Sequence, residues 1–145
     1  YGDRLQFMYN EKFEPRTIIG DDYSIQDMSD YGMYGNSDVI GPDSSHGTHV
    51  AGSIAAVRDN ALGIKGVATN VKIMAIRVVP NGDERDKDVA NGIRYAVRNG
   101  AKIINMSFGK SYSPFKSRAV DAAVAEAEAA GVLLVHAAGN SNQNN

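Results

Sequence analysis

Two kinds of hydrophobic rhythm alternate along the later part of this chain, and their order constrains the fold more than any single residue does. Val89, Ile93, Ala96 and Val97 recur at helical spacing between Asp86 and Asn99, and Asn99-Gly100 supplies a stop signal. Ala101-Lys102-Ile103-Ile104-Asn105-Met106 then reads as a short strand. Residues 115–130 are rich in alanine and carry Glu126 and Glu128, a composition that favours helix, and Gly131 ends the segment. Val132-Leu133-Leu134-Val135 follows as a nearly continuous apolar run, the pattern of a strand buried on both faces. Upstream, the pattern predicts a helix from His46 to about Val57, a turn at Arg58-Asp59-Asn60, and a β-branched strand over Val71–Val79 bounded by Asn70 and Pro80-Asn81-Gly82. Helix and strand in strict alternation predict an α/β chain, a three-layer parallel β-sheet flanked by helices and joined by right-handed crossovers.

Such a sheet needs a core, and 43% hydrophobic residues in a chain of 145 supply one. Fifteen Lys and Arg face 17 Asp and Glu, a net charge of −2 with no dense basic block, which excludes a phosphate backbone as partner. No apolar run approaches the roughly 20 residues of a membrane span, and Tyr1-Gly2-Asp3-Arg4 does not read as a signal peptide. The absence of cysteine removes disulfides, thiolate metal sites and cysteine nucleophiles. Residues 1–45 differ from residues 46–145. They are rich in Tyr, Asp, Gly, Ser and Asn, with short apolar patches such as Thr17-Ile18-Ile19, and read as an irregular region holding at most a short strand or helix.

Three segments carry chemistry. In His46-Gly47-Thr48-His49-Val50-Ala51-Gly52 a histidine opens a helix, where its side chain can project into a cleft. Gly47 there permits a backbone conformation that other residues resist, while Ala51, Gly52, Ala55 and Ala56 allow close packing. A surface histidine on an ordinary helix is the competing reading, and His49, inside the helix, is expected to pack structurally. His46 and His49 do not make a metal site of the helical protease type, which needs spacing of about four with a glutamate between. Ser107-Phe108-Gly109 and Gly139-Asn140 each follow a predicted strand directly, and ligands of parallel sheets bind beyond the strands' carboxyl ends. The Asn140 carboxamide is a neutral donor that cannot give up its proton, which suits a developing oxyanion; Gly-Asn is also an ordinary turn. The charged run Asp83–Asp88 reads as a solvated approach to a helix, with Asp86 or Asp88 near its N-terminus. A nucleotide-binding reading fails for want of a Gly-x-Gly-x-x-Gly turn or phosphate loop.

In this order the three segments resemble the histidine motif, the substrate-binding strand and the oxyanion-hole loop of the subtilisin-like serine proteases. The resemblance is close over residues 46–140 and poor before them. It implies that His46 is the general base, that Asn140 is the oxyanion donor after Gly139, and that Ser107, Phe108 and Gly109 pair with an extended polypeptide substrate. Lys110 stands where many relatives have a second glycine, and Val89 aligns with an outer-pocket position but fits a core position equally well. The family's Asp-Ser/Thr-Gly and Gly-Thr-Ser-x-Ala segments do not occur. Asp21 and Asp22 are the nearest imitation of the former, and the reading favours a catalytic aspartate lying before Tyr1. Asp3, Asp27, Asp30, Asp38 and Asp43 are expected to be loop solubilisers. No cofactor is required by this chemistry. Some relatives bind a structural calcium ion after the histidine helix, where this chain has Asp59, Asn60 and Leu62 together with the positive Arg58.

The resemblance thus implies an internal part of an exported serine endopeptidase, inactive by itself because the nucleophile lies outside it. Sheet edges left uncovered would promote self-association of the 145 residues alone. A noncatalytic peptide-binding domain is the alternative, and the presence of both His46 and Asn140 argues against it, since strand pairing needs neither.

Overall fold

The computed structural model of the chain describes residues 18, 20–22, 35–79, 84–109 and 118–140. Asp3, Asp27, Asp30, Asp83, Lys110 and the opening residues of the expected 115–130 helix lie outside them, as does most of the irregular region. The chain divides into two compact units, Ser37–Arg77 and a second made of Tyr1–Asn36 with Val78–Asn145.

In the Ser37–Arg77 unit, helix α1 spans Ser45–Ala55. Its entry is fixed by Asp43, whose carboxylate accepts the Ser45 amide at 2.9 Å and the Ser45 hydroxyl at 2.6 Å, and the first helical bond runs from Thr48 N to Ser44 O. The far end is closed by the chain folding back. The amides of Val67 and Ala68 donate to the carbonyls of Ser53 and Ile54, and that of Gly66 to Ala56. These bonds satisfy carbonyls that a helix C-terminus leaves without partners. Arg58 braces the return by donating to the Gly66 and Val67 carbonyls at 2.6 and 3.1 Å. Gly66 is obligatory, because a β-carbon there would fall on the Ala56 nitrogen.

Not every expectation holds here. Gly47 makes no use of glycine's freedom: it does not have a positive φ, and a β-carbon on it would meet nothing. Asp38 and Asp43 are exposed loop residues that also fix turns, Asp38 accepting the amides of Ile40 and Gly41 at 3.1 and 2.9 Å. The run Val71–Val79 forms no strand either. Its β-branched composition suits a pleated surface, but a strand exists only where a neighbour offers a hydrogen-bonding edge, and none of the described residues does so.

The second unit follows the predicted alternation. Helix α2 (Asp86–Arg98), strand β1 (Ile103–Met106), helix α3 (Ala119–Ala129) and strand β2 (Leu133–His136) succeed one another. The strands pair in parallel with Ile103 opposite Leu133 and Met106 opposite His136. Gly100 and Gly131 end their helices with φ of 80° and 70°, the left-handed conformation that stops a helix at little cost for glycine. The core is built from Val89, Ala90 and Ile93 of α2, Ala119, Ala123 and Ala127 of α3, Met106 and Val132. The three alanines lie four residues apart on one stripe, so α2 approaches α3 closely. Across that contact Arg94 Nε donates to both carboxylate oxygens of Glu126, at 2.9 and 3.1 Å.

The helices cover one face of the sheet, against which Ile104 and Leu134 pack. On the other face Ile103, Leu133 and Val135 are 62%, 58% and 44% exposed. The apolar run at β2 is therefore not buried on both faces among the described residues, because two strands with helices on one side cannot cover the second side. Nor is the charged approach to α2 solvated. Glu84, Asp86 and Lys87 are buried, and the Lys87 ammonium bonds the buried Asp21 carboxylate and the Asp22 carbonyl. Val89, readable as pocket or core, belongs to the core.

Candidate active site

Parallel pairing decides what meets at the carboxyl end of the sheet. The pairing continues one step past β2, where the Ala137 amide donates to the Met106 carbonyl at 3.1 Å. The two exit segments, Ser107–Gly109 after β1 and Ala137–Asn140 after β2, therefore leave side by side. Asn105 Nδ2 donates to the Ser107 hydroxyl at 2.9 Å, which steadies the first turn out of β1. Phe108 reaches back to the core and meets the His136 ring edge-on, with centroids 6.4 Å apart and planes at 85°. Gly139, with φ of 88°, turns the second segment so that exposed Asn140 follows it. The structure thus places Ser107, Phe108, Gly109, Gly139 and Asn140, five of the six residues singled out from sequence, on two segments that leave the same end of the sheet.

The sixth, His46, belongs to the other unit. It is the second residue of α1, its side chain is exposed, and no described residue hydrogen-bonds it. His49, expected to pack structurally, is exposed too, because no element of its own unit covers that part of α1. Asp21 is not available as an acid partner, its buried carboxylate being engaged by Lys87.

The loop after α1 does not offer a cation a ready set of oxygens. The Asp59 carboxylate bonds the Lys65 ammonium at 2.6 Å, and the Asn60 side-chain oxygen accepts the Leu62 amide at 3.0 Å. With the Arg58 guanidinium alongside on the Gly66 and Val67 carbonyls, these residues do not fit a calcium ion as they are arranged. Among the described residues no three of His, Cys, Asp and Glu cluster as metal ligands, and no helix is long and apolar enough to cross a membrane.

Sequence comparison bears directly on these segments. The model of the subtilase family, Peptidase_S8, matches residues 7–145. The chain belongs to the subtilase family. Among the curated subtilases, Subtilisin DY of Bacillus licheniformis is 46% identical over 99 residues, which cover 68% of this chain and 35% of that protein. The Thermostable alkaline protease of Halalkalibacterium halodurans is 35% identical over 153 aligned positions, covering 96% of this chain and 41% of that protein. Subtilisin E of Bacillus subtilis is 41% identical over 98 residues, 67% of this chain and 25% of that protein. The chain therefore spans between a quarter and about two fifths of the length of these relatives. Sequence reasoning passed over His136, which the structure sets against Phe108 and Gly109. Its only signal was a histidine closing an apolar run four residues before Asn140.

Proposed function

We propose that this chain is part of a serine endopeptidase that hydrolyses peptide bonds through an acyl-enzyme. Its residues supply the general base, one oxyanion donor and a strip of substrate-binding backbone. The observation that carries the reading is the side-by-side exit of Ser107–Gly109 and Ala137–Asn140 from paired parallel strands, within a chain that belongs to the subtilases.

An extended peptide laid along Ser107–Gly109 can add as a further strand, held by main-chain hydrogen bonds. Its scissile carbonyl then lies within range of the neighbouring loop. A serine hydroxyl from outside these residues attacks that carbonyl, His46 accepts the hydroxyl proton, and the carbonyl oxygen takes on negative charge. The Asn140 carboxamide donates to that oxygen, and His46 returns the proton to the leaving amine as the peptide C–N bond breaks. Water then attacks the acyl-enzyme by the same route in reverse. With Asp21 committed to Lys87, the carboxylate that orients His46 comes from outside these residues. Export of the whole protein follows from the same family reading.

Casein turnover by the full-length protein and by the 145 residues alone tests the proposal. The full-length protein is expected to cleave casein and its His46→Ala variant to lose at least about 1000-fold in rate, while the 145 residues alone do not cleave. Undiminished cleavage by His46→Ala would sink the proposal; a full-length protein that binds casein without cutting it would establish the noncatalytic alternative.

A further inference from the structure

His136 is the one titratable side chain on the two exit segments and the strands that precede them: the described residues Ile103–Gly109 and Leu133–Asn140 contain no other. Lys110 is the next residue in sequence after the first segment. The ring stands at the end of β2, in register with Met106, and is exposed to solvent. Its position is fixed from two sides. The Phe108 ring meets it edge-on at 6.4 Å. Gly109 lies so close that a β-carbon there would come within 3.2 Å of His136 Cε1 and 3.4 Å of Nε2.

Neither ring nitrogen has a hydrogen-bond partner among the described residues, although the ring is held in place. A positioned imidazole with unengaged nitrogens, four residues before Asn140 and in contact with the segment that pairs with peptide, faces whatever occupies that segment. Resting on the peptide-pairing reading of Ser107–Gly109, we propose that His136 is a specificity-determining residue: it recognises an acidic side chain of the bound peptide by a hydrogen bond from the imidazole to the carboxylate. Gly109 leaves the approach to the ring open, and Phe108 supplies an apolar wall for the methylene groups of a glutamate.

The test is peptide binding by the full-length protein in a His46→Ala background, so that turnover does not intervene. Two peptides differing only by Glu or Gln at one position are scanned through the residues that pair with Ser107–Gly109, and affinities are read by fluorescence anisotropy between pH 5.5 and 8. At one position the Glu peptide is expected to bind about three- to fivefold more tightly at pH 5.5, the range of a partly exposed charge pair. His136→Gln, which keeps the bulk and a neutral donor, should weaken the preference, and His136→Ala should abolish it. Equal binding of Glu and Gln peptides at every position and pH overturns the inference while leaving peptide pairing intact. A preference that persists undiminished in His136→Ala overturns it as well. Failure of both peptides to bind removes the peptide-pairing reading together with the inference.

Discussion

The Ala137 amide donates to the Met106 carbonyl across 3.1 Å, and this bond makes neighbours of two loops that lie some thirty residues apart in sequence. Past it Ser107–Gly109 and Ala138–Asn140 leave the paired strands next to one another while their roots stay fixed. Rigid strands carrying adaptable ends are the usual way an α/β fold builds a site.

Lys87 and Asp21 form the contact that holds residues 20–22 to the start of α2. Removing one partner of a buried ion pair leaves the other charged and desolvated, so Lys87→Met is expected to destabilise the full-length protein by about 3–5 kcal/mol. Combining it with Asp21→Asn should recover most of the loss. Urea denaturation of the two single variants and the double variant checks this; additive losses would show that the two groups do not interact.

Gly66 sits against the end of α1, with no room for a β-carbon beside the Ala56 nitrogen. Gly66→Ala must push the 66–68 return away from the carbonyls it caps, and a loss of about 1–3 kcal/mol is expected. Gly47→Ala and Gly52→Ala, where a β-carbon meets nothing, should be neutral or stabilising by up to about 1 kcal/mol, since alanine favours helix. Thermal denaturation distinguishes the two classes.

Asp38 has its pKa lowered, first by the hydrogen bond from the Gly41 amide and then by that from Ile40, partly opposed by desolvation, with the Arg77 charge the smallest contribution. A carboxylate held below its unfolded value stabilises the fold above the ordinary aspartate range, and the contribution is lost as pH falls through the lowered value. Asp38→Asn should therefore narrow the stability difference between pH 5 and pH 2, and urea midpoints measured over that window test the sign. A steeper acid dependence in Asp38→Asn would contradict it.

Ile103, Leu133 and Val135 present an apolar strip on the face of the sheet that the helices leave uncovered. The 145 residues alone are expected to self-associate, and Leu133→Lys should shift them toward monomer in sedimentation experiments. A monomeric wild-type chain would show that this strip does not drive association.

The second unit was largely legible in the sequence, because its elements are set by local rules. Val89, Ile93 and Ala96 mark the buried stripe of α2, and Gly100 and Gly131 stop their helices through a conformation only glycine adopts readily. The adjacency of the two exit loops followed from parallel pairing. What stayed hidden depends on distant partners. Nothing local shows that Lys87, in a run of alternating charges, meets an aspartate 66 residues away, or that Val71–Val79 finds no strand partner among the described residues. The need for glycine at position 66 likewise comes from the helix end it touches. His136 directly follows the apolar run Val132–Val135, and only the packing of Phe108 and Gly109 against its ring marks it out.

The central claim is that Asn140 stabilises developing negative charge on a scissile carbonyl, and the most direct test is the steady-state kinetics of Asn140→Ala in the full-length protein. An oxyanion donor acts in the transition state, so kcat should fall about 100- to 1000-fold with KM changed by no more than a few fold. A kcat equal to that of the wild type would contradict the account and leave Gly139-Asn140 as no more than a turn.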